Sequence, residues 1–202
     1  MDKQTEEILQ KIEEAEYVLV GLGQEFDMEF FLQSREDYRR IREQLQQQNV
    51  LWLLPYVEEQ FRRQYLPEME AEIEKGLQKL AKVLEKKSYF VVSSSLNHKL
   101  AEVPWKKMLL KKERFVAPCG DWTKKQCPDG CEEGIQTVTE ADEEQLQESF
   151  KKLQTNGFSV PNLGKCPKCG KKLVLNNVYA GRYDEKGYLK TWTEYQTGCK
   201  IP

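Results

Sequence analysis

Histidine is nearly missing from this sequence of 202 residues, and so is an excess of either charge. The single histidine, His98, excludes metal and catalytic sites that need several histidines. Lysine and arginine total 31 and aspartate and glutamate total 33, so the formal net charge is −2. This balance argues against a strongly basic nucleic-acid binder and against a protein that charge attracts to a membrane. We therefore expect neither nucleic acid nor a membrane among its partners.

Long apolar stretches are missing as well. The longest strongly apolar runs, Tyr17–Gly23 and Val50–Val57, fall far short of the ~20 residues that a membrane-spanning helix needs. The first residues, Met1–Glu7, lack the basic and then apolar pattern of a signal peptide. The sequence thus predicts a cytoplasmic protein, and its length suits one domain or one domain with a small inserted module.

Short strand patterns alternate with helical patterns over the first 117 residues. Tyr17–Val20 and Tyr89–Val92 are apolar throughout, and Arg114–Ala117 is a shorter third segment. This order predicts an α/β domain with a parallel sheet. An uninterrupted apolar run is typical of a strand buried on both faces, which we expect for Tyr17–Val20.

Helical spacing of apolar residues accounts for much of the remaining chain. The sequence predicts helices over residues 3–15, from Glu25 to Leu45, from Pro67 to Leu84, over 99–112 and over 141–154. In a parallel sheet, ligands bind beyond the carboxyl ends of the strands. The candidate binding segments are therefore those that follow the three predicted strands, namely Gly21–Asp27, Ser93–His98 and Pro118–Asp121.

Cysteine, in contrast, is well represented, and four of the six cysteines form two close pairs. One pair is Cys127 and Cys131, and the other is Cys166 and Cys169, each with proline and other turn residues between them. In a cytosolic chain such pairs indicate metal ligands more than disulfides. Two thiolate pairs can bind one tetrahedral Zn(II), which is structural because no position stays open for water. The alternative is four ordinary reduced cysteines.

A glycine-containing turn, Gly21-Leu22-Gly23, closes the first predicted strand and precedes a helical pattern. At such a place, backbone N–H groups and a helix N-terminus can bind a phosphate. However, the third glycine of the dinucleotide-binding fingerprint is absent. Glu25 and Asp27 would also repel a pyrophosphate unless their side chains point away. The alternative is a tight strand-to-helix turn with a capping acid.

Four features follow one another in a defined order along the chain. They are the strand that ends in Gly-x-Gly, the segment Tyr89–Asn97, the tripeptide Cys119-Gly120-Asp121, and the four-cysteine module. In this order the sequence resembles the sirtuins, the NAD-dependent protein deacylases and ADP-ribosyltransferases. The likeness is greater to the divergent microbial branch associated with macrodomain proteins, and it covers about residues 10–195.

The resemblance implies a fold class, an α/β protein with a Rossmann-like parallel sheet, helices and an inserted four-cysteine zinc-binding module. Residues 1–117 would form the Rossmann-like portion, residues 118–177 the zinc-binding module, and residues 178–202 a tail returning to the α/β portion. In the family, further strands with a nucleotide-binding segment follow the zinc module. None is found before Pro202, so either the chain is truncated or the sheet is completed in another way.

The resemblance also implies ligands and site residues. A structural Zn(II) would be bound by Cys127, Cys131, Cys166 and Cys169. NAD or ADP-ribose would be bound by Gly21, Leu22, Gly23, Ser95, Asn97 and Gly120. Cys119 and Asn97 hold positions of the family's catalytic residues. The second partner would be an acylated or ADP-ribosylated protein.

Several of these positions depart from the family pattern. Ser95 stands where the family has asparagine, Asn97 where it has aspartate, and Cys119 where it has a histidine base. A thiol can act as base or nucleophile only if its pKa falls well below ~8.5, and the alternative is a buried, inert thiol. His98 is not the family's histidine, and it is either a strand-end residue without catalytic duty or a functional group at that strand end. For Cys199 we expect only packing of the tail.

Three functions remain open from the sequence. The first is a divergent sirtuin-like enzyme, with weakened motifs, for NAD-dependent protein deacylation or ADP-ribosyl transfer. The second is a catalytically inactive, zinc-containing relative that senses a nucleotide or binds another protein. The third is an unrelated zinc-ribbon binding module on an α/β base. The order of the motifs favours the first two.

Overall fold

The computed structural model of the chain describes residues 3–101, 114–131 and 135–198. The helices are α1 (Lys3–Glu14), α2 (Glu29–Leu32), α3 (Glu36–Gln47), α4 (Leu54–Tyr65), α5 (Pro67–Leu84), α6 (Glu140–Gln154) and α7 (Lys186–Gly198). Short 3-10 helices cover Gln24–Asp27 and Leu51–Leu53. The strands are β1 (Tyr17–Leu22), β2 (Ser88–Ser93), β3 (Phe115–Val116), β4 (Gly120–Gln126), β5 (Gln136–Thr137) and β6 (Val174–Asn177).

A three-stranded parallel sheet, in the order β1-β2-β3, confirms the predicted α/β class. Strand β1 pairs with β2 over its full length, from Tyr17 opposite Ser88 to Leu22 opposite Ser93. Strand β3 is parallel to β2, with Val116 opposite Val92. The carboxyl ends of the three strands therefore lie at one edge of the sheet, which is the edge where ligands bind in such sheets.

The prediction that β1 is buried on both faces is wrong. Val18 and Val20 pack against the core that the sheet shares with α5. On the other face, Tyr17 is 52% exposed and Leu19 is 63% exposed. Among the described strands only β2 pairs with β1, so this strand lies at the edge of the sheet. An apolar run reveals strand propensity, but it does not reveal whether both faces find a partner.

The helix predicted from Glu25 to Leu45 is broken into three pieces. Met28 adopts a left-handed conformation with φ 57°, which separates the 3-10 helix Gln24–Asp27 from α2. Arg35 is extended, with φ −90° and ψ 129°, and separates α2 from α3. The apolar spacing continues through these breaks because α2 and α3 both turn residues toward one core. Periodicity alone therefore misses the interruptions.

The other helix predictions mostly agree with the structure. The helices predicted over 3–15, 67–84 and 141–154 correspond to α1, α5 and α6. Of the helix predicted over 99–112, residues 99–101 are helical and the rest lies outside the described residues, as does Cys199. Within the described part of the chain, no helix is both long and apolar enough to cross a membrane.

A second sheet, antiparallel and in the order β5-β4-β6, carries the cysteine turns. Its core continues into helices α3 and α4, so the larger core joins residues on both sides of position 118. The rings of Phe61 and Phe150 make an edge-to-face contact at 5.8 Å, and those of Tyr56 and Trp122 do so at 5.3 Å. Helices α3 and α4 therefore pack against the cysteine module, while α5 packs against the parallel sheet.

A buried ion pair fixes α6 to the second sheet. The Nζ atom of Lys125 in β4 lies 2.7 and 2.9 Å from the two carboxylate oxygens of Asp142, and it also donates to the carbonyl oxygen of Leu163. Asp142 in addition accepts a hydrogen bond from the backbone N–H of Thr139 and so completes a capping box at the start of α6. One carboxylate thus satisfies both a helix end and a buried ammonium group.

A second buried carboxylate, that of Glu58 in α4, is 3% exposed. The hydroxyl of Tyr38 donates to its Oε1 atom at 2.7 Å. Burial raises the pKa of Glu58 to about 7, because removal from water disfavours the charged form more than Arg62 and Tyr38 favour it. The folded protein therefore holds this proton at a pH at which an unfolded chain has released it.

We predict that this proton makes stability depend on pH in a defined direction. An unfolded glutamate releases its proton near pH 4.5 and the folded Glu58 near pH 7, so the free energy of unfolding falls as the pH rises through that window. Between pH 6 and pH 8, the part of this decrease in the free energy of unfolding that Glu58 causes is roughly 1 kcal/mol. Glu58→Gln should remove this part of the decrease in urea unfolding experiments, and the exposed control Glu85→Gln should not. Equal pH dependence in all three proteins would contradict the assignment.

Candidate metal centre and strand-end site

The four paired cysteines come together in space. Their Sγ atoms all lie within 4.8 Å of one another, and those of Cys127 and Cys169 are 3.5 Å apart. A tetrahedral zinc site with Zn–S bonds of about 2.3 Å separates its sulfurs by about 3.8 Å. The four side chains Cys127, Cys131, Cys166 and Cys169 are therefore placed to bind a metal ion such as zinc.

Two glycine-containing turns position these thiols. Gly130 and Gly170 both have left-handed backbone angles, with φ 69° and 72°, which glycine adopts without strain. The N–H of Gly130 donates to the carbonyl oxygen of Cys127, and that of Gly170 donates to the carbonyl oxygen of Cys166. Each turn thereby folds back on its first cysteine. The proline after each first cysteine, with Gly130 before Cys131 and Gly170 after Cys169, is the sequence signal for these turns.

The environment of the cluster favours ionisation of one thiol, that of Cys127, over its neighbours. Although burial acts in the opposite direction, hydrogen bonds from the backbone of Cys131 and Asp129 and from neighbouring thiols lower the pKa of Cys127 to about 6. The hydrogen bond to Cys127 is the main cause that raises the pKa of Cys131 to about 12. The sulfurs thus share their protons through these hydrogen bonds. A divalent metal ion that binds the sulfurs would displace those protons. Four thiolates leave no position for water, so the metal would be structural.

Two basic residues contact the cysteine turns and stabilise them. The guanidinium of Arg182 donates to the carbonyl oxygen of Asp129 at 2.7 Å, and its Nε atom lies 3.0 Å from where a Cβ at Gly130 would stand. Lys171 forms an ion pair at 2.7 Å with the side chain of Asp129 and so connects the two turns. Arg182 and Lys171, together with the Asp129 carboxylate, leave one positive charge, which offsets part of the net charge of −2 that a zinc tetrathiolate carries.

We predict that the metal contributes to the stability of the protein. Cys166→Ser should lose the metal and lower the melting temperature, since a structural zinc supplies folding free energy directly. Cys119→Ser removes a thiol outside the cluster and serves as the control, so it should keep the metal. The measurements are metal content by elemental analysis and thermal unfolding. A Cys166→Ser protein with unchanged zinc and unchanged melting temperature would refute the metal centre.

The end of strand β1 is closed by the chain's own carboxylate. The backbone N–H of Gly23 donates to Oε1 of Glu25 at 3.2 Å. A Cβ added at Gly23 would lie 2.1 Å from the other carboxylate oxygen, so Glu25 packs directly over this glycine. Gly21, in contrast, is exposed and faces open space. Leu22 is 5% exposed and belongs to the core of the sheet.

The helix that follows this turn is also short. The 3-10 helix Gln24–Asp27 has four residues, and α2 has four more after the left-handed Met28. A long, aligned helix N-terminus, which strengthens phosphate binding in dinucleotide-binding turns, is therefore not formed at Gly23.

The end of strand β2 is organised by a buried aspartate. Oδ1 of Asp27 accepts hydrogen bonds from the Ser95 hydroxyl at 2.5 Å and from the backbone N–H groups of Leu96 and Asn97 at 2.8 and 3.1 Å. Burial raises the pKa of Asp27, although the bond from Ser95 and the charge of Arg62 act in the opposite direction. The carboxylate of Asp27 is thus directed at the β2 end and away from the glycine turn.

Asn97 has its own internal partners. Its amide nitrogen donates to the carbonyl oxygen of Phe26 at 3.3 Å, and its amide oxygen accepts from the backbone N–H of Lys99 at 3.2 Å. Asn97 is 5% exposed and Ser95 is 2% exposed. The structure therefore brings Ser95 and Asn97 together with the first strand end, and it uses their polar groups to hold the two strand ends to one another.

His98 connects this region to the cysteine module. Its Nδ1 atom lies 2.6 Å from Oε2 of Glu59 in α4, and its ring makes an edge-to-face contact with Trp122 of β4 at 4.9 Å. The indole N–H of Trp122 donates to the same carboxylate oxygen. Glu59 is fully buried and also forms an ion pair with Arg63. Hydrogen bonds and the charge of His98 outweigh burial and lower the pKa of Glu59.

The end of strand β3 leads to Cys119 and Gly120. Cys119 is half-buried, and burial, together with the negative charge of Asp27, raises the pKa of its thiol. Gly120 has φ 69°, and a Cβ there would lie 2.2 Å from the carbonyl oxygen of Asn176. The pairing of β4 with β6 therefore requires glycine at this position for steric reasons.

Three residues that shape the site carry no strong sequence signal. Glu59 and Trp122 lie in patterns typical of a helix and of a loop, and nothing in the sequence links them to His98. Asp27 stands in a predicted binding segment, but its partners follow about 70 residues later along the chain. Buried carboxylates of this kind are visible only once the fold brings their donors together.

Two comparisons with known proteins give no relative for the chain. No protein-family model matches the sequence. A search of curated proteins likewise finds no match. The resemblance to the sirtuins therefore depends on the motifs and their order alone.

Proposed function

We propose that this chain is a zinc-stabilised relative of the sirtuins that binds NAD or ADP-ribose at the carboxyl edge of a Rossmann-like parallel sheet. The observation that carries this proposal is the meeting of three strand ends at one sheet edge, in a chain that also holds a four-thiol cluster beyond the far end of β4. The order of these features along the chain is that of the sirtuin motifs. Gly21, with open space around it, leaves room for close approach of a ligand to the backbone.

We further propose that ordinary deacylation is weak or lost. When bound, NAD supplies an ADP-ribosyl group and a nicotinamide leaving group, and the family uses a histidine base. At the matching position, the raised pKa keeps the Cys119 thiol protonated near neutral pH, which makes it a poor base and a poor nucleophile. The side-chain amide of Asn97 is hydrogen-bonded to the backbone of Phe26 and Lys99. These hydrogen bonds would have to break before Asn97 could bind a nucleotide. The nucleotide-sensing relative is therefore favoured over the enzyme.

A second candidate is a relative that binds another protein and no nucleotide. The contact between Glu25 and the N–H of Gly23 favours it, because a carboxylate already occupies the turn where a phosphate would bind. Glu25 is exposed, however, and its side chain can move away at small cost. The two candidates therefore differ in whether an anionic ligand can displace this carboxylate.

Calorimetric titration of the zinc-loaded chain with NAD and with ADP-ribose tests the proposal. We expect saturable binding by the unaltered protein. Glu25→Gln should bind at least about fivefold more tightly, because one negative charge is removed near the pyrophosphate. Gly23→Val should abolish binding while keeping zinc, since the valine side chain would occupy the space beside the Gly23 N–H that a phosphate needs.

Glu85→Gln is the matched control, because it changes the net charge equally but lies at the end of α5, in an exposed position. Its affinity should equal that of the unaltered protein. No heat with either ligand, from folded and zinc-loaded protein and also from Glu25→Gln, would reject nucleotide binding and leave the protein-binding relative. Equal affinity of Gly23→Val would remove the glycine turn from the site.

A further inference from the structure

The three strand ends differ in the space that they offer. The N–H of Gly23 at the end of β1 is occupied by Glu25, and the polar groups at the end of β2 are occupied by Asp27. The end of β3 instead opens into a cavity of about 230 Å³ between the two sheets and the first turn of α7. Among the described residues, the β3 end therefore has an open cavity beside it that its own polar groups do not fill.

The cavity combines an apolar floor with aromatic and charged walls. Phe115, Val116 and Ala117 of the β3 end form the apolar part. The rings of Tyr183 and Tyr188 line it as well, inclined by 24° to one another with centroids 6.4 Å apart.

The charged wall contributes no net charge. Asp121 and Lys124 both line the cavity, and their charges offset one another. Burial raises the pKa of Tyr183 and of Tyr188, so both phenols stay neutral near pH 7.

Hydrogen bonds hold these walls in place. The hydroxyl of Tyr183 donates to the carbonyl oxygen of Pro118 at 2.9 Å, and Nζ of Lys124 donates to the carbonyl oxygen of Gly187 at 2.6 Å. A Cβ at Gly187 would lie 2.5 Å from Oδ1 of Asn176, so α7 starts in close contact with β6. The aromatic wall is thereby fixed to the sheet that carries the cysteine turns, and the cavity is formed before any ligand binds.

Size and charge define the ligand. Pockets for drug-sized molecules begin at roughly 300 Å³, so this cavity admits a single ring system and no complete dinucleotide. Balanced charges disfavour a phosphate, whereas aromatic rings favour a planar aromatic group. The carboxylate of Asp121 can accept a hydrogen bond and the ammonium of Lys124 can donate one, which suits a ring that carries an amide or amino group.

We propose that this cavity binds a neutral, planar nitrogen heterocycle with an amide or amino group, such as a nicotinamide or adenine ring. This inference rests on the proposed function, since it names the place where one ring of NAD would be held. Tyr188 supplies the stacking face, and the Asp121–Lys124 pair supplies the polar contacts. The glycine turn is then not the principal determinant of ligand choice.

Ligand-observed NMR with nicotinamide and with adenine, on the zinc-loaded chain, tests this proposal. We expect binding of at least one of the two at millimolar concentration. Tyr188→Ala should weaken it about tenfold or more, because stacking on one aromatic side chain contributes that much. Tyr188→Phe keeps the ring and should bind normally. Tyr17→Ala removes an exposed tyrosine from β1 and is the matched control.

A second variant tests the proposal independently in case Tyr188→Ala destabilises α7. Ala117→Leu fills the apolar floor while leaving both tyrosines in place, and it should abolish ring binding in a protein with an unchanged melting temperature. Unchanged ring binding in Tyr188→Ala or in Ala117→Leu would overturn the proposal, as would the absence of binding by both compounds.

Titration of the same variants with NAD separates this inference from the proposed function. Binding of NAD that is equal in the unaltered protein and in Ala117→Leu would reject the cavity and keep the nucleotide site. Ring binding that depends on Tyr188, without binding of NAD or ADP-ribose, would support the cavity and reject the proposed function.

Discussion

A single buried carboxylate, that of Glu59, connects the main parts of the molecule. Glu59 lies on α4, contacts His98 five residues after the end of β2, and accepts a hydrogen bond from Trp122 of the cysteine-bearing sheet. Arg63 supplies the positive charge one turn along the same helix. A buried polar group that loses its partner typically costs about 1–3 kcal/mol, so the contacts of Glu59 with His98 and Trp122 constrain both sheets. The relative position of the strand ends and the metal module depends on it.

The contacts of Glu59 lead to both parts of the candidate site, the strand ends and the metal centre. On one side, the β2 end is held by Asp27, whose Oδ1 accepts hydrogen bonds from Ser95 and from two backbone N–H groups. On the other side, Trp122 leads along β4 to Cys127, the first ligand of the candidate metal centre. A structural metal that orders β4 would therefore also order the strand ends where a ligand is expected. The same polar contacts that stabilise the strand ends reduce the number of groups left to bind a nucleotide.

Prediction from sequence succeeded where the physical signal is local. The helices that begin at Lys3, Pro67 and Glu140 follow from apolar spacing, and the parallel strands follow from short apolar runs. The four clustered cysteines follow from their pair spacing. Where contacts between residues far apart in the chain determine the local structure, the sequence alone did not predict it. Strand β4 contains Lys125 and Gln126, both buried, and it lacks the apolar alternation that marks a strand. The left-handed Met28 likewise interrupts a helical pattern without any glycine or proline to signal it.

The most direct test of this connected arrangement is hydrogen exchange of the backbone amides before and after a chelator removes the metal. The amides of Leu96 and Asn97 report on the β2 end, since both donate to Asp27. The amides of β4 report on the metal module. We predict that removal of the metal accelerates exchange in β4 and also at Leu96 and Asn97. Faster exchange in β4 alone, with full protection retained at Leu96 and Asn97, would contradict the claim that Glu59 and Trp122 couple the metal centre to the strand ends.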